Sequence, residues 1–245
     1  ADLVVLVGSN LAWCHPVLHQ RISAAKAARP EMKVVNIDPR KTATSALADH
    51  HFRIVPDGDI ALFNGLLAYL ADTGAVNTRY VRDHVAGMMS AITQARLDTP
   101  AECGLTQEEL AQFYQLWAGT QKVVTVYSQG VNQSVCGTDK VNAILNCHLA
   151  TGRIGTPGCG PFSVTGQPNA MGGREVGGLA NMLANHLDIE NPDHRDRVQG
   201  FWNSPTICAT PGLKAVDMFQ ACADGKIKAL WVMSTNPAVS LPNAQ

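Results

Sequence analysis

Apolar residues in this chain come in short unbroken runs set between polar turns. Residues 3–7 read Leu-Val-Val-Leu-Val, which predicts a strand buried on both faces, as in a parallel sheet. The run ends at Gly8-Ser9-Asn10. Residues 17–28 have helical character until Arg29-Pro30, where the residue before proline is pushed out of the helical region. Residues 33–37, Lys-Val-Val-Asn-Ile, predict a second strand closed by Asp38-Pro39-Arg40. Residues 52–55 predict a third, followed by Pro56-Asp57-Gly58-Asp59 and a helix through Leu70. Strand and helix alternating in this way predict an α/β fold, with parallel strands flanked by helices.

Residues 71–118 read as mostly helical, with a capping box at Thr106-Gln107-Glu108-Glu109. A strand at 122–127 then opens a second unit and leads through Gln129-Gly130 and Gln133 into a helix over 138–150. Residues 152–178 are glycine-dense and read as a long ordered loop, a feature that is usually functional inside a compact domain. Residues 190–212 are polar and proline-rich and read as another loop. A helix over 213–224 and a strand over 229–233 finish the pattern, the strand ending at Ser234-Thr235-Asn236-Pro237. The expected division is 1–118, a dinucleotide-binding α/β unit, and 119–245, a second and incomplete α/β unit carrying the glycine-rich loop.

Composition narrows the picture. Charged residues make up 16% of the 245 positions and hydrophobic ones 46%, with a formal net charge of -1. That balance gives no electrostatic case for nucleic acid or an anionic membrane. No apolar stretch approaches the ~20 residues that a bilayer-spanning helix needs. So low a charge suits either a compact enzyme with much internal surface or a piece of something larger. The opening directly in a strand, without Met, favours an internal segment of a longer chain. The seven cysteines stand at 14, 103, 136, 147, 159, 208 and 222, the closest two eleven residues apart. There is no C-x-x-C knuckle for zinc or an iron–sulfur cluster, and the expected state is free thiols in the reducing cytoplasm.

Open α/β sheets take ligands outside the carboxyl ends of their strands, so the residues following each strand are the candidate chemistry. Here they are Gly8-Ser9-Asn10, Asp38-Pro39-Arg40, Asp57-Gly58-Asp59, Gln129-Gly130 with Gln133, and Thr235-Asn236-Pro237. Each alone is also an ordinary turn former. Together they are the equipment for a nucleotide. Gly8 lets the backbone approach a phosphate, Asp38 can accept from ribose hydroxyls or guanine N–H groups, and Arg40 can fork onto a phosphate. In the glycine-rich loop, Arg174 suits an anionic ligand, while a solvated Arg174–Glu175 pair and a core role for Met171 are the plainer alternatives. His148 reads as a packed helix residue, and Lys140 and Arg153 as solvent-facing or dipole-related.

Three blocks carry a family resemblance: Tyr127-Ser128-Gln129-Gly130-Val131-Asn132-Gln133, Leu149-Ala150-Thr151-Gly152-Arg153-Ile154-Gly155, and Gly166-Gln167-Pro168-Asn169-Ala170-Met171-Gly172-Gly173-Arg174-Glu175-Val176-Gly177. With Val7-Gly8-Ser9-Asn10, Asn36-Ile37-Asp38-Pro39-Arg40 and Ser234-Thr235-Asn236-Pro237 in the same order, the whole chain resembles the molybdopterin oxidoreductases. Within them it is most similar to the catalytic subunits of bacterial assimilatory nitrate reductases. The resemblance implies two Rossmann-like units that clamp one molybdenum through two molybdopterin guanine dinucleotides (Mo-bis-MGD). It assigns Gly8, Ser9, Asn10, Asp38, Arg40, Asp57 and Asp59 to the guanosine and diphosphate of one dinucleotide. Gln129, Gln133, Gln167, Thr235 and Asn236 would lie along the cofactor, and Arg174 and Met171 are the catalytic candidates. Formate dehydrogenases of the group carry an arginine where this chain has Thr165, which favours nitrate over formate. The cysteines of the [4Fe–4S] cluster and the molybdenum-ligating cysteine would lie upstream, outside this segment, so the segment alone is expected to be inactive. Its partners would be nitrate, an electron donor of unknown identity and the remaining domains of the parent. Another oxyanion substrate, or a non-catalytic scaffold of the same fold, are the alternatives.

Overall fold

The computed structural model describes residues 1–166 and 169–241. The expected parallel sheet is present, with β1 (Leu3–Val7), β2 (Lys33–Ile37), β3 (His50–Phe52), β4 (Val123–Tyr127) and β5 (Gly160–Ser163) in the order β3-β2-β1-β4-β5. Every neighbouring pair is parallel, and β1 runs flush with both partners, Val7 standing opposite Ile37 on one side and Tyr127 on the other.

All five residues of β1 are buried, as its unbroken apolar run requires. Successive side chains point to opposite faces. Leu3, Val5 and Val7 join one core with Leu62, Phe63 and Leu66 of α3 (Asp59–Asp72), Phe113 and Trp117 of α6 (Gln107–Gly119) and Ile144 of α8 (Gly137–Ala150). Val4 and Leu6 turn to the other face, where Val34, Val126 and Met32 meet Ile22 and Ala25 of α2 (Pro16–Ala28). Before α2, a single turn forms α1 (Leu11–Cys14). Between α3 and α6 lie α4 (Thr78–His84) and α5 (Met88–Ala95), and α7 (Gln129–Asn132) follows β4. The capping box forms as expected: Thr106 Oγ1 accepts from the Glu109 N–H at 3.2 Å, and Glu109 Oε2 accepts from the Thr106 N–H at 2.8 Å.

The compact units are Ala1–Gly166 and Gln167–Gln245, so β4 and β5 pair into the same sheet as β1. Other differences from the sequence reading have local causes. The third strand is 50–52 rather than 52–55, because Val55 leaves the sheet and donates its N–H to the Cys103 carbonyl at 2.8 Å. The glycine-rich stretch contains β5, whose Gly160-Pro161 start hides it, and a proline is tolerated because this strand is at the sheet edge.

In the second unit, α9 (Ala170–Glu175), α10 (Pro192–Trp202), α11 (Ala215–Ala223) and α12 (Pro237–Ser240) are the α-helices among the described residues. The segment expected as a loop at 190–212 contains α10, capped by Asn191 Oδ1, which accepts from the Asp193 N–H at 3.0 Å, with proline at the first helical position. Only Val198 of this helix is buried, so it shows no apolar period in the sequence. The expected strand at 229–233 does not form: Leu230, Trp231, Val232 and Met233 are exposed. A strand needs a paired neighbour, and the pairing among the described residues of this unit is a lone bridge between Met182 and Asp188.

Candidate functional site

The strand order places β2 and β3 on one side of β1, and β4 and β5 on the other. The gap between the carboxyl ends of β1 and β4 is therefore the topological switch point, where open α/β sheets bind ligands. The two turns leaving these strands touch. The Gly130 N–H donates to the Gly8 carbonyl at 3.0 Å, and a Cβ on Gly8, whose φ is +49°, would fall 2.9 Å from Gly130 Cα. Neither turn could approach the other with a side chain in place.

Above this floor is a cleft of about 520 Å³ lined by Gly8, Ser9, Asn10, Asp38, Arg40, Asp57, Asp59, Gln129, Gly130 and Lys140 among others. The structure thus brings together eight of the expected binding residues, drawn from the ends of four elements. Ser9 Oγ is buried without a hydrogen-bond partner, an orphan polar atom in the cleft wall. Asp38 is buried; its Oδ1 accepts from the Arg40 N–H at 2.8 Å, and its carbonyl lies 3.1 Å from His51 Nε2. That Asx turn fixes the Arg40 backbone and leaves its guanidinium exposed at the cleft.

Lys140 is the residue that sequence reasoning missed. Expected to be solvent-facing or dipole-related, its side chain is 2% exposed, with Nζ 2.7 Å from Asp57 Oδ1 and 2.8 Å from Asp59 Oδ2. The Lys140 and Ser134 hydrogen bonds hold the Asp57 carboxyl below the usual carboxylate range. Burial pushes the Asp59 carboxyl up, against the opposing pull of Lys140. Burial also opposes the charge on Lys140, but the two carboxylates outweigh it and its pKa is raised. One signal was available in the sequence: a lysine in the first turn of a helix stands against the helix dipole and needs a local reason.

Arg153 also departs from expectation. It is buried, its guanidinium carbon lies 3.9 Å from the centre of the Trp117 ring, and it donates to the carbonyls of Trp117, Thr120 and Gln121. His148 is a packed helix residue, with Nε2 2.8 Å from Thr125 Oγ1 and its pKa pushed down to about 3 by burial.

The remaining expected site residues belong to the end of α7 and to the second unit. Gln133 is exposed at the end of α7 and is not among the residues lining the cleft. Met171 and Arg174 are exposed one turn apart on α9, whose start is capped by Asn169 Oδ1 accepting from the Gly172 N–H at 3.2 Å. Thr235 and Asn236 are exposed in the second unit, Asn236 at the N-cap of α12. Gln167 lies outside the described residues. Among the described residues, no three His, Cys, Asp or Glu side chains cluster to hold a metal.

Comparison with known proteins settles the family. The molybdopterin oxidoreductase family profile matches residues 1–245. The chain belongs to the molybdopterin oxidoreductase family. It is 51% identical over 248 residues to a nitrate reductase of Klebsiella oxytoca and 52% identical over 251 residues to a nitrate reductase of Shewanella frigidimarina. Both matches cover all of this chain but only 28% and 26% of those proteins, so the chain spans about a quarter of their length. The fold is also that of the acetylene hydratase of Pelobacter acetylenicus (TM-score 0.57, 17% identity, over 64% of this chain and 22% of that one). A molybdopterin oxidoreductase implies a molybdenum–pterin cofactor. The cleft fits an extended polar group of that kind: its two turns can approach a ligand with bare backbone, and Ser9 Oγ offers an unused hydrogen bond.

Proposed function

We propose that this chain is the cofactor-binding segment of a nitrate reductase, and that the cleft seats the guanosine diphosphate end of a molybdopterin guanine dinucleotide. The observation that carries the reading is the contact of Gly8 with Gly130 at the switch point, beside the orphaned Ser9 Oγ and the Asp38–Arg40 turn. Asp38, Asp57 and Asp59 accept from donors of the ribose and base. Arg40 pairs with the diphosphate through its planar fork. Gly8, Ser9 and Asn10 supply backbone and hydroxyl contacts where no Cβ stands in the way. Gln129, Gln133, Gln167, Thr235 and Asn236 lie along the rest of the cofactor in this reading. Arg174, with Met171 one turn before it, attracts and orients the nitrate anion.

The chemistry that the bound molybdenum–pterin group supplies is two-electron oxygen-atom transfer, nitrate to nitrite. The share of these residues is binding, orientation and electrostatics. The protein ligand of the metal, the ligands of a [4Fe–4S] cluster and the docking site for an electron donor are assigned to other parts of the parent protein. The chain by itself is therefore expected not to reduce nitrate. Its seven cysteines all stand as free thiols, which suits a cytoplasmic setting.

Elemental and nucleotide analysis of the purified parent protein tests this reading. Expected are one molybdenum and two guanine nucleotides per chain, with nitrate-dependent oxidation of a reduced dye. A parent protein with neither metal nor guanine nucleotide overturns it in favour of a scaffold. A loaded protein that oxidises formate and ignores nitrate corrects the substrate alone.

A further inference from the structure

Lys140 does something in this cleft that neither helix formation nor core packing asks of it. It stands in the first turn of α8, the end where the helix dipole disfavours a cation. Its ammonium is withdrawn from solvent between the buried Asp59 and the exposed Asp57, and burying such a cation is a poor source of stability, because desolvation offsets the attraction. What it does make is a bridge. Asp57 belongs to the turn leading from β3 into α3 and Asp59 opens α3, while Lys140 belongs to α8, beyond β4. The ammonium ties the ends of two strands that lie on opposite sides of β1.

The charges add a second point. Two carboxylates and one ammonium leave the cluster at -1. Without the ammonium it stands at -2, with two carboxylates free to part and facing the place where a diphosphate would enter. We propose that Lys140 is a positioning residue for the nucleotide: it fixes Asp57 and Asp59 in one arrangement and holds down the negative charge of the cleft wall. It acts through the two carboxylates, and Arg40 remains the cation that meets the phosphate. This rests on the nucleotide reading of the cleft given above.

Isothermal titration of the 245-residue chain with GDP tests the proposal, with circular dichroism of each variant as the check on folding. Lys140→Met is expected to weaken GDP binding by about tenfold or more. The deficit of K140M relative to the unaltered chain is expected to shrink by about half on a logarithmic scale at high ionic strength, where the uncompensated carboxylate charge is screened. A GDP affinity in K140M equal to that of the unaltered chain overturns the proposal. So does a deficit that salt leaves unchanged, since Lys140 would then merely be filling space. If K140M does not fold, Lys140→Arg takes its place: it keeps the cation and is expected to hold GDP within about threefold. A folded K140R that loses tenfold counts against the proposal. An unaltered chain that binds no GDP at millimolar concentration overturns the nucleotide reading, and this proposal with it. That outcome is distinct from binding that is insensitive to Lys140.

Discussion

Gly130 donates its backbone N–H to the Gly8 carbonyl at 3.0 Å, so the ends of β1 and β4 are stapled together under the cleft. Gly8 has a φ of +49°, and a methyl group there would press against Gly130 Cα at 2.9 Å. Backbone strain and overpacking then add. Gly8→Ala is expected to lower stability by about 2 kcal/mol or more. Urea denaturation followed by circular dichroism measures this, and a wild-type midpoint would show that the two turns can part without cost.

His148 sets a different expectation, in acid. Its pKa is pushed down to about 3 by burial, against an ordinary value of 6.5. Above pH 6.5 the ring is neutral in both the folded and the unfolded chain. As pH falls below 6.5 the unfolded chain takes up a proton that the folded chain refuses. Stability therefore drops by about 1.4 kcal/mol per pH unit from this group until pH nears 3. His148→Gln, which keeps a partner for Thr125, is expected to flatten the stability profile between pH 6 and about 4. An equally steep profile in the variant would assign acid unfolding to other groups.

Arg153 closes the end of α6 by giving its guanidinium N–H groups to three carbonyls while its plane covers Trp117. Lysine cannot reproduce that fork. Arg153→Lys is thus expected to lose about 2 kcal/mol or more, nearly as much as Arg153→Met, because buried carbonyls are left unpaired in both. Thermal unfolding of the two variants side by side decides it. A lysine variant with wild-type stability would show that the charge alone matters at this position.

For Arg174, the expectation concerns the intact parent protein. Arg174→Ala is expected to raise the KM for nitrate about tenfold or more, with molybdenum and guanine nucleotide content unchanged. Steady-state kinetics with a dye donor, paired with metal analysis, separates the outcomes. Unchanged kinetics would remove Arg174 from substrate binding, whereas lost metal would move its role to the cofactor.

Much of this was legible in the chain itself. The runs at 3–7, 33–37 and 122–127 show strands because apolar β-branched residues on successive positions are stable in a strand buried on both faces, and the endings of the strands they form line one cleft. What the sequence hid has physical causes. Gly160-Pro161 carries no strand signal, yet an edge position tolerates it. The Leu230–Met233 segment has a strong strand signal and no neighbour to pair with in its unit among the described residues. Lys140 looks like any surface lysine until the fold carries Asp57 and Asp59 to it across about half the length of the first unit. Pairings between distant residues are set by topology, which local patterns do not encode.

The contact between Gly8 and Gly130 also fixes when the cleft comes into being. Gly8 leaves the ribosome near the start of this segment, and its partner follows only after three strands and six helices have been made. Such non-local closure is the slow part of assembling a sheet. Until β4 docks, the loop after β1 has no floor beneath it, and Asp57 and Asp59 have no ammonium between them. The cleft at the switch point therefore depends on a pairing between strands that stand 120 residues apart in the chain, Leu3 opposite Val123.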